Sequence, residues 1–249
     1  MPKITHCIFD MDGLLLDTER VYTEVTQELL DKYADGVKFT WDVKSKLMGR
    51  TGTESASMVV DHYKLPMSVQ EYMDKSSVMH EERFPLVKPL PGVERLIRHL
   101  HAKGVPMAVA TSSTRSKFEL KTSLNDELFS LFDYIVCGDD AGIERGKPAP
   151  DIFLAAQQRL GNPPAENCLV FEDATNGVQA ALNAKMHVVW IPDANLLKIS
   201  GDPDSHGAAA VLESMTDFEP EAFELPVFDT TGHQETIKDK DITAPQDRY

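Results

Sequence analysis

The stretch FDMDGLLLD, residues 9–17, carries an apolar run directly into closely spaced aspartates. Asp10 and Asp12 stand two positions apart, so after a strand their side chains converge on the same side of it. Converging carboxylates repel each other unless a proton or a cation lies between them. Because Mg²⁺ prefers oxygen ligands, the stretch predicts a strand that ends in a magnesium site. Asp17 has the residue type of a helix N-cap and is predicted to start the next helix.

Outside this stretch, short apolar runs alternate with helix-like segments, a pattern typical of a parallel sheet. The predicted strands are 6–9, 105–110, 134–137, 168–171 and 188–191. The helical spacing of apolar residues predicts helices over 91–104, 151–161 and 176–184. We therefore predict an α/β fold, in which a Rossmann-like parallel sheet has helices on both faces.

The chain divides into three parts by pattern. Residues 19–85 carry helical periodicity and no convincing strand, so an α-helical cap domain is predicted to be inserted after the first strand. The Rossmann-like core would then consist of residues 1–18 and 86–228. From 229 to 249 the chain is polar and without period, so this tail is predicted to be disordered.

Three further features carry chemical groups. One predicted strand ends in acid at Glu172 and Asp173, and ligands of doubly wound sheets collect at such carboxyl ends. Thr111 and Ser112 follow another predicted strand and offer hydroxyl and backbone N–H donors to an oxyanion. Lys147 has glycine before it and proline after it, which restrict the backbone and make it a candidate for a positioned cation.

Each of these features also has a purely structural explanation. Acidic residues often begin the loop before a helix, Ser and Thr often cap a helix, and a single lysine is most often a solvated charge. The two acidic strand ends support each other, because both are expected at the same edge of the sheet.

The composition excludes several classes of partner. The chain has 40 Asp and Glu against 25 Lys and Arg, a formal net charge of −15, which repels nucleic acid and anionic lipid. No apolar run approaches the roughly 20 residues of a membrane span. The first residues lack a signal-peptide pattern, so a cytoplasmic protein is predicted. Cys7, Cys137 and Cys168 lie in apolar runs and are predicted to be reduced core residues.

Four features follow one another along the chain: the DxDGxxxD stretch, the Thr–Ser pair, the loop lysine and the Glu–Asp pair. In this order they resemble the motifs of the haloacid dehalogenase-like hydrolase superfamily. The resemblance covers the chain to about residue 228, and the helical insertion resembles the cap of that superfamily. Several segments resemble its pseudouridine-5′-phosphatase branch, among them FDMDGLLLDTER, WDVKSKLMGR, ATSS, GKPAPDIFLAA, CLVFEDATNGVQAAL and TDFEPEAFELP. Ala174 departs from the pattern, since many relatives have serine there.

The resemblance implies a role for each of these residues. Asp10 would be the nucleophile that forms an aspartyl-phosphate. Asp12 would act first as an acid on the leaving oxygen and then as a base on water. Thr111 and Lys147 would hold the phosphoryl oxygens. The implied ligands of Mg²⁺ are Asp10, Asp12 through its backbone carbonyl, Glu172 and Asp173.

The resemblance also implies a substrate site shared by the core and the cap. Ser112 would join Thr111 and Lys147 at the phosphate, while Gly49 and Arg50 would contact the substrate from the cap. An exposed charge after a helix end is the structural alternative for Arg50.

The implied function is Mg²⁺-dependent hydrolysis of a small phosphorylated metabolite by a monomer, with pseudouridine 5′-phosphate as the leading substrate. Alternatives are a phosphatase acting on glycerol phosphate or a 2-deoxyhexose phosphate, and a β-phosphoglucomutase-like mutase. Such mutases carry a histidine in the first cap helix where this chain has Tyr22, which favours a hydrolase. An inactive binding protein is disfavoured because every chemical position is filled, and receiver domains lack the cap insertion.

Overall fold

The computed structural model describes residues 3–47, 50–200 and 205–229. Within these ranges, six strands form one parallel sheet in the order β3-β2-β1-β4-β5-β6. The strands are β1 (His6–Phe9), β2 (Met107–Thr111), β3 (Tyr134–Cys137), β4 (Cys168–Glu172), β5 (His187–Trp190) and β6 (Ala210–Val211). Because β1 pairs in parallel with both β2 and β4, the carboxyl ends of these three strands lie side by side.

Ten α-helices connect or cover these strands in the described ranges. They are α1 (Thr18–Tyr33), α2 (Trp41–Leu47), α3 (Gly52–Tyr63), α4 (Val69–Arg83), α5 (Val93–Ala102), α6 (Arg115–Thr122), α7 (Asp126–Phe129), α8 (Asp151–Arg159), α9 (Thr175–Asn183) and α10 (Ala194–Ser200). The first four occupy the predicted cap, whose domain boundaries stay a prediction.

The sheet is buried on both faces. Side chains alternate along β1, so Phe9 contributes to one apolar cluster and Ile8 to the other. On the first face Phe9 stacks on Phe171 of β4 with ring centroids 4.5 Å apart, beneath residues of α5. On the second face the small residues of α9, such as Ala180, allow close packing. The predicted α/β fold with helices on both faces is thereby confirmed.

The helices between β1 and β2 are set by local capping and by their own packing. The α3 helix begins with a capping box, in which Thr51 and Glu54 each bind the backbone N–H of the other. Ser68 and Glu71 do the same at the start of α4. Helices α1 and α4 pack against each other through buried groups that include the hydrogen-bonded pair of Thr26 and Tyr72, 3.1 Å apart.

Several details differ from the sequence-based predictions. Strand β2 begins two residues later than predicted and ends at Thr111. Strand β6 and helices α6, α7 and α10 were not predicted, because they are too short or too polar to show a period. Asp17 lies at the N-cap position of α1, as predicted, but its carboxylate makes no capping hydrogen bond and instead accepts from Arg20 Nε at 3.0 Å. Apart from Asp229, the predicted tail lies outside the described residues.

Two predictions about the whole chain can be compared with the structure. Cys7, Cys137 and Cys168 are buried and free, as predicted. Among the described residues, no helix combines the length and the apolar character that a membrane crossing needs.

Candidate active site

Three carboxylates meet at the carboxyl end of the sheet. Asp10 follows β1, while Glu172 ends β4 and Asp173 follows it. The backbone N–H of Asp10 donates to the carbonyl oxygen of Phe171 at 3.0 Å, which extends the pairing of the two strands to this point. One oxygen from each of the three carboxylates lies within 4.8 Å of the others, and all three residues are buried. Parallel pairing of adjacent strands therefore creates the acidic cluster.

Lys147 bridges two of these carboxylates. Its Nζ lies 2.5 Å from Asp10 Oδ1 and 2.6 Å from Glu172 Oε1, and it also donates to the carbonyl oxygen of Ala110 at 3.3 Å. The side chain is only 3% exposed. Burial alone would lower the pKa of Lys147, but the two carboxylates outweigh burial and raise it. Lys147 is therefore held as a cation inside the cluster.

Glycines make room for the carboxylates. A Cβ at Gly177, in the first turn of α9, would overlap the carboxylate of Glu172, and a Cβ at Gly13 would overlap that of Asp173. Gly13 also has a φ of +82°, which favours glycine. Glu172 Oε2 accepts from the backbone N–H groups of Asp173 and Ala174 at 3.0 and 3.1 Å. The backbone thus fixes one side of Glu172 and leaves the other for Lys147.

If all three carboxylates are ionised, the cluster carries more negative charge than Lys147 offsets. Burial raises the pKa of Asp10 to about 7, with Lys147 acting in the opposite direction. Burial and the nearby carboxylates of Glu172 and Asp10 raise the pKa of Asp173 well above its usual range. Positive charge is therefore expected to bind beside these two aspartates.

Asp12 lies in a second, separate network. Its carboxylate forms an ion pair with Lys121 and accepts hydrogen bonds from Ser113 Oγ at 2.9 Å and Thr111 Oγ1 at 3.3 Å. Burial favours the neutral carboxyl, but Lys121 and the hydrogen bonds hold the pKa of Asp12 below its usual value. The Lys121 ammonium also donates to the hydroxyl group of Tyr22 at 3.0 Å.

Sequence analysis missed Lys121. A signal for Lys121 was present, because Phe118, Lys121 and Thr122 share one face of α6 at spacings of three and four residues, and all three are buried. A lysine on an otherwise buried face indicates a specific partner, since a buried charge is costly without one. The identity of that partner depends on three-dimensional packing and was not available from the spacing.

A second buried ion pair, also missed, lies where α1 meets α2. Lys44 Nζ is 3.3 Å from Glu19 Oε2 and donates to Thr23 Oγ1 at 2.8 Å. The ammonium lies 4.5 Å from the centre of the Trp41 ring. Burial raises the pKa of Glu19, with Lys44 opposing this. Glu19 also touches the space beside Gly13, so this pair borders the acidic cluster.

The remaining predicted site residues do not belong to the acidic cluster. Thr111 is buried and bonded to Asp12, whereas Ser112 is exposed in the loop after β2. Arg50 is exposed, and its guanidinium donates to the carbonyl oxygen of Lys46 at 2.6 Å rather than to the acidic cluster. Gly49 lies outside the described residues. The structure therefore joins Asp10, Glu172, Asp173 and Lys147 in one cluster and Thr111 to Asp12. The substrate contacts of Ser112, Gly49 and Arg50 stay a prediction.

Comparisons with known proteins show what the chain is similar to. The family model of haloacid dehalogenase-like hydrolases matches residues 7–191. The chain is 50% identical over 228 residues to the probable pseudouridine-5′-phosphatase of Drosophila melanogaster, covering 91% of this chain and 96% of that protein. It is 45% identical over 230 residues to (DL)-glycerol-3-phosphatase 1, mitochondrial, of Arabidopsis thaliana, covering 91% and 75%. Its fold is similar to a HAD family hydrolase from Deinococcus radiodurans with bound phosphate and sodium, with a TM-score of 0.72, 24% identity, and coverage of 90% and 97%.

Proposed function

The chain belongs to the haloacid dehalogenase-like hydrolase family and is a phosphoric monoester hydrolase, and we propose that it hydrolyses pseudouridine 5′-phosphate through a phosphorylated Asp10. The observation that carries this proposal is the cluster of buried oxygens from Asp10, Glu172 and Asp173, all within 4.8 Å of one another. A nucleophilic carboxylate beside a site for a divalent cation is what displacement at a phosphate monoester requires.

The donor set of the cluster fits Mg²⁺. All three groups are carboxylates, and hard divalent cations prefer oxygen donors. Three carboxylates meet one positive charge, that of Lys147, so with all three ionised two negative charges would remain in a buried place. We propose that Asp10, Glu172 and Asp173 bind the ion through their side chains and Asp12 through its carbonyl oxygen. When bound, the ion stabilises the negative charge of the transferring phosphoryl group.

Lys147 and Thr111 are the proposed phosphate-binding residues. An anionic Asp10 is repelled by a phosphate dianion, by about 8 kcal/mol for two charges at roughly 4 Å and an effective dielectric constant near 20. The Lys147 ammonium offsets part of this repulsion because it lies 2.5 Å from Asp10 Oδ1. Thr111 ends β2 next to β1, which supports the proposal that its hydroxyl group and the Ser112 backbone N–H donate to phosphoryl oxygens. Attack by Asp10 then divides one slow displacement into two faster steps.

Asp12 is the proposed acid and base. Its Oδ2 accepts hydrogen bonds from Thr111 and Ser113, so this oxygen lies on the side of the proposed phosphate site. In the first step the protonated form of Asp12, which Lys121 and the hydrogen bonds make the minor form in the free protein, gives its proton to the leaving oxygen. In the second step the resulting carboxylate takes a proton from the attacking water, which restores the protonated form. Such proton transfers contribute about 10²–10⁴-fold to the rate.

The helices of residues 19–85 are proposed to act as a cap over a core of 1–18 and 86–228. A cap excludes bulk water while the leaving group departs and opens to release product. Gly49 and Arg50 are proposed to contact the substrate from this cap.

The choice of substrate rests on similarity. A relative at 50% identity is named a probable pseudouridine-5′-phosphatase, which supports pseudouridine 5′-phosphate. A relative at 45% identity is named a glycerol-3-phosphatase, so glycerol 3-phosphate is the second candidate. Two further expectations stay predictions, namely a monomer and a cytoplasmic location. One relative, the glycerol-3-phosphatase of Arabidopsis thaliana, is named as mitochondrial.

Phosphate release from a panel of monoesters tests the proposal. The panel comprises pseudouridine 5′-phosphate, uridine 5′-phosphate, glycerol 3-phosphate, 2-deoxyglucose 6-phosphate and β-glucose 1-phosphate, each with MgCl₂ and with EDTA. We expect the highest kcat/KM for pseudouridine 5′-phosphate and loss of activity in EDTA. Asp10→Asn should lower kcat by at least about 10³-fold, because the nucleophile is lost. Asp17→Asn, in the same stretch but paired with Arg20 at the surface, is the matched control.

Each other outcome has a distinct meaning. Highest activity on glycerol 3-phosphate would replace the leading substrate with the second candidate. Isomerisation of the glucose phosphate without phosphate release would indicate a mutase. Full activity of Asp10→Asn would refute the covalent mechanism, and no release from any ester would refute the proposed function.

A further inference from the structure

Lys121 is a fully buried lysine whose position the proposed reaction does not by itself explain. It lies on α6, and its side chain is 0% exposed. Its ammonium contacts Asp12 Oδ1, Ser113 Oγ at 2.9 Å and the Tyr22 hydroxyl oxygen at 3.0 Å. An ammonium has three N–H donors, so these three oxygens use its whole donor capacity. The ammonium of Lys121 is therefore fixed in position and in orientation.

The carboxylate of Asp12 is fixed in return. Lys121 takes Oδ1, while Oδ2 accepts from Ser113 Oγ at 2.9 Å and from Thr111 Oγ1 at 3.3 Å. Thr111 ends β2, the strand next to the one that Asp10 follows. Oδ2 is thus the Asp12 oxygen that faces the end of β2, and Lys121 binds the other oxygen.

Aromatic rings complete the surroundings of Lys121. The ammonium lies 5.1 Å from the ring centre of Tyr22 and 4.7 Å from that of Phe84. Tyr22 is in the first turns of α1 and Phe84 directly follows α4, so the two rings come from opposite ends of the predicted cap insertion. The contacts of Lys121 therefore connect Asp12 to both segments that join the insertion to the core.

We propose that Lys121 is a positioning residue for Asp12, which orients the carboxylate so that Oδ2 exchanges the proton with the leaving oxygen and with water. This inference rests on the proposed function of Asp12 as acid and base. Tyr22 and Phe84 hold Lys121 in place. Proton transfer depends steeply on the position of the donor, so loss of this orientation lowers the rate even when substrate still binds.

A contribution to stability alone does not account for this arrangement. Replacing a buried ion pair by apolar side chains of similar size is often neutral or stabilising, so a buried pair is weak support for a stability role. Lys117 offers a matched comparison, because it lies one turn earlier on the same helix and is also partly buried. Its Nζ lies beside Gly52, 3.6 Å from the place of a Cβ there, and not on Asp12.

The test compares two esters that differ in their need for a proton. Pseudouridine 5′-phosphate, or whichever alkyl monoester of the panel the wild type prefers, has an alkoxide leaving group that needs one. In p-nitrophenyl phosphate the phenolate leaves without a proton. For Lys121→Met we expect kcat/KM to fall about 100-fold for the alkyl ester and less than about 5-fold for the phenyl ester. Lys117→Met should keep the wild-type ratio of the two values.

The opposing outcomes are distinct from failure of the proposed function. Equal losses on both esters, or no loss on either, in an active wild type would overturn the positioning role of Lys121. A wild type that hydrolyses neither ester would instead refute the proposed function itself. A crystal structure of Lys121→Met tests the geometry without any assay, since we expect the Asp12 carboxylate to turn away from Thr111, and an unchanged carboxylate would overturn the proposal.

A second variant keeps the test usable if Lys121→Met fails to fold. Lys121→Gln retains a hydrogen-bond donor for Asp12 without the charge. We expect the same preference for the phenyl ester, with a smaller loss on the alkyl ester of about 10-fold. Melting temperatures of all variants identify losses that come from unfolding, which would affect both esters alike.

Discussion

At the scale of single residues, Lys147 shows how one cation keeps a group of buried carboxylates in place. It pairs with Asp10 and Glu172, and no described contact pairs it with Asp173. A buried charge without a partner is costly, so the carboxylate of Asp173 is the one that gains most from a bound cation. The same reasoning makes the free protein sensitive to pH, because burial raises the pKa of Asp10 and of Asp173.

The pH dependence of stability follows from the sign of this shift. Burial raises the pKa of Asp10 from 3.8 to about 7, so between these values the folded state binds more protons than the unfolded state. Stability of the metal-free protein is therefore lost as pH rises through this window. Asp10→Asn removes the contribution, so in EDTA we expect the melting temperature of the wild type to fall relative to that of the variant between pH 4 and pH 7.5. Differential scanning fluorimetry measures both.

Excess MgCl₂ is the control for this prediction. With the cation bound, the negative charge of Asp10 stabilises the folded state because it contacts the ion. Addition of MgCl₂ at pH 7.5 should therefore raise the melting temperature of the wild type more than that of Asp10→Asn. A difference between the two proteins that stays constant over the pH range in EDTA would contradict the raised pKa.

Spacing along the chain was sufficient to predict the acidic cluster, and it was insufficient for the groups that surround Asp12. Asp10 and Asp173 follow strands, and parallel strands bring their carboxyl ends to one edge, so their meeting could be argued from pattern. Lys121 reaches Asp12 from a helix more than 100 positions away in the chain. The spacing of the buried residues along α6 does not indicate which part of the chain its buried face will contact.

At the scale of elements, the helical insertion depends on local signals as well as on packing. Helix α4 has two buried residues, Tyr72 and Ser76, and its partly buried Val69, Met73 and Met79 also pack against the core. Its capping box adds local stabilisation, because the Ser68 hydroxyl accepts from the N–H of Glu71 at 3.2 Å and the Glu71 carboxylate accepts from the N–H of Ser68 at 2.8 Å.

Removing the Ser68 N-cap of α4 should lower the free energy of unfolding without changing catalysis. Loss of a Ser N-cap costs about 1 kcal/mol, which for a protein of this size lowers the melting temperature by roughly 2–4 °C. We therefore expect this shift for Ser68→Ala, with kcat on the best ester unchanged within about 2-fold. Ser77→Ala, an exposed change within the same helix, is the matched control. A shift no larger for Ser68→Ala than for Ser77→Ala would show that the capping box contributes nothing measurable.

Elements with a strong hydrophobic periodicity could be predicted from the sequence. Elements whose conformation depends on neighbouring elements could not. The buried run of β4 and the apolar stripe of α5 are visible in the sequence, because each repeats its pattern over a full element. Strand β6 has two residues and forms by pairing at the edge of β5, so its conformation comes from its neighbour. The conformation of the polar helix α6 likewise depends on its surroundings, since Phe118 packs edge-on against Phe129 of α7 and Lys121 pairs with Asp12.

At the scale of the whole molecule, the two tryptophans lie in different parts of the chain. Trp41 begins α2 in the predicted cap. Trp190 ends β5 in the core, is buried, and donates its indole N–H to the carbonyl oxygen of Asp173 at 2.8 Å. The fluorescence of Trp190 is therefore coupled through one hydrogen bond to a proposed metal ligand, which makes cation binding measurable without any assay of phosphate release.

This coupling leads to a prediction that separates metal binding from catalysis. In Trp41→Phe the emission comes from Trp190, and we expect titration with MgCl₂ to change it saturably, because an ion bound by Asp173 polarises the peptide group that accepts the indole hydrogen bond. Titration with NaCl to the same ionic strength controls for screening. Asp173→Asn in the same background should weaken the response at least about 10-fold in apparent Mg²⁺ affinity. Saturable binding of the same affinity in that variant would place the ion elsewhere and remove Asp173 from the metal site.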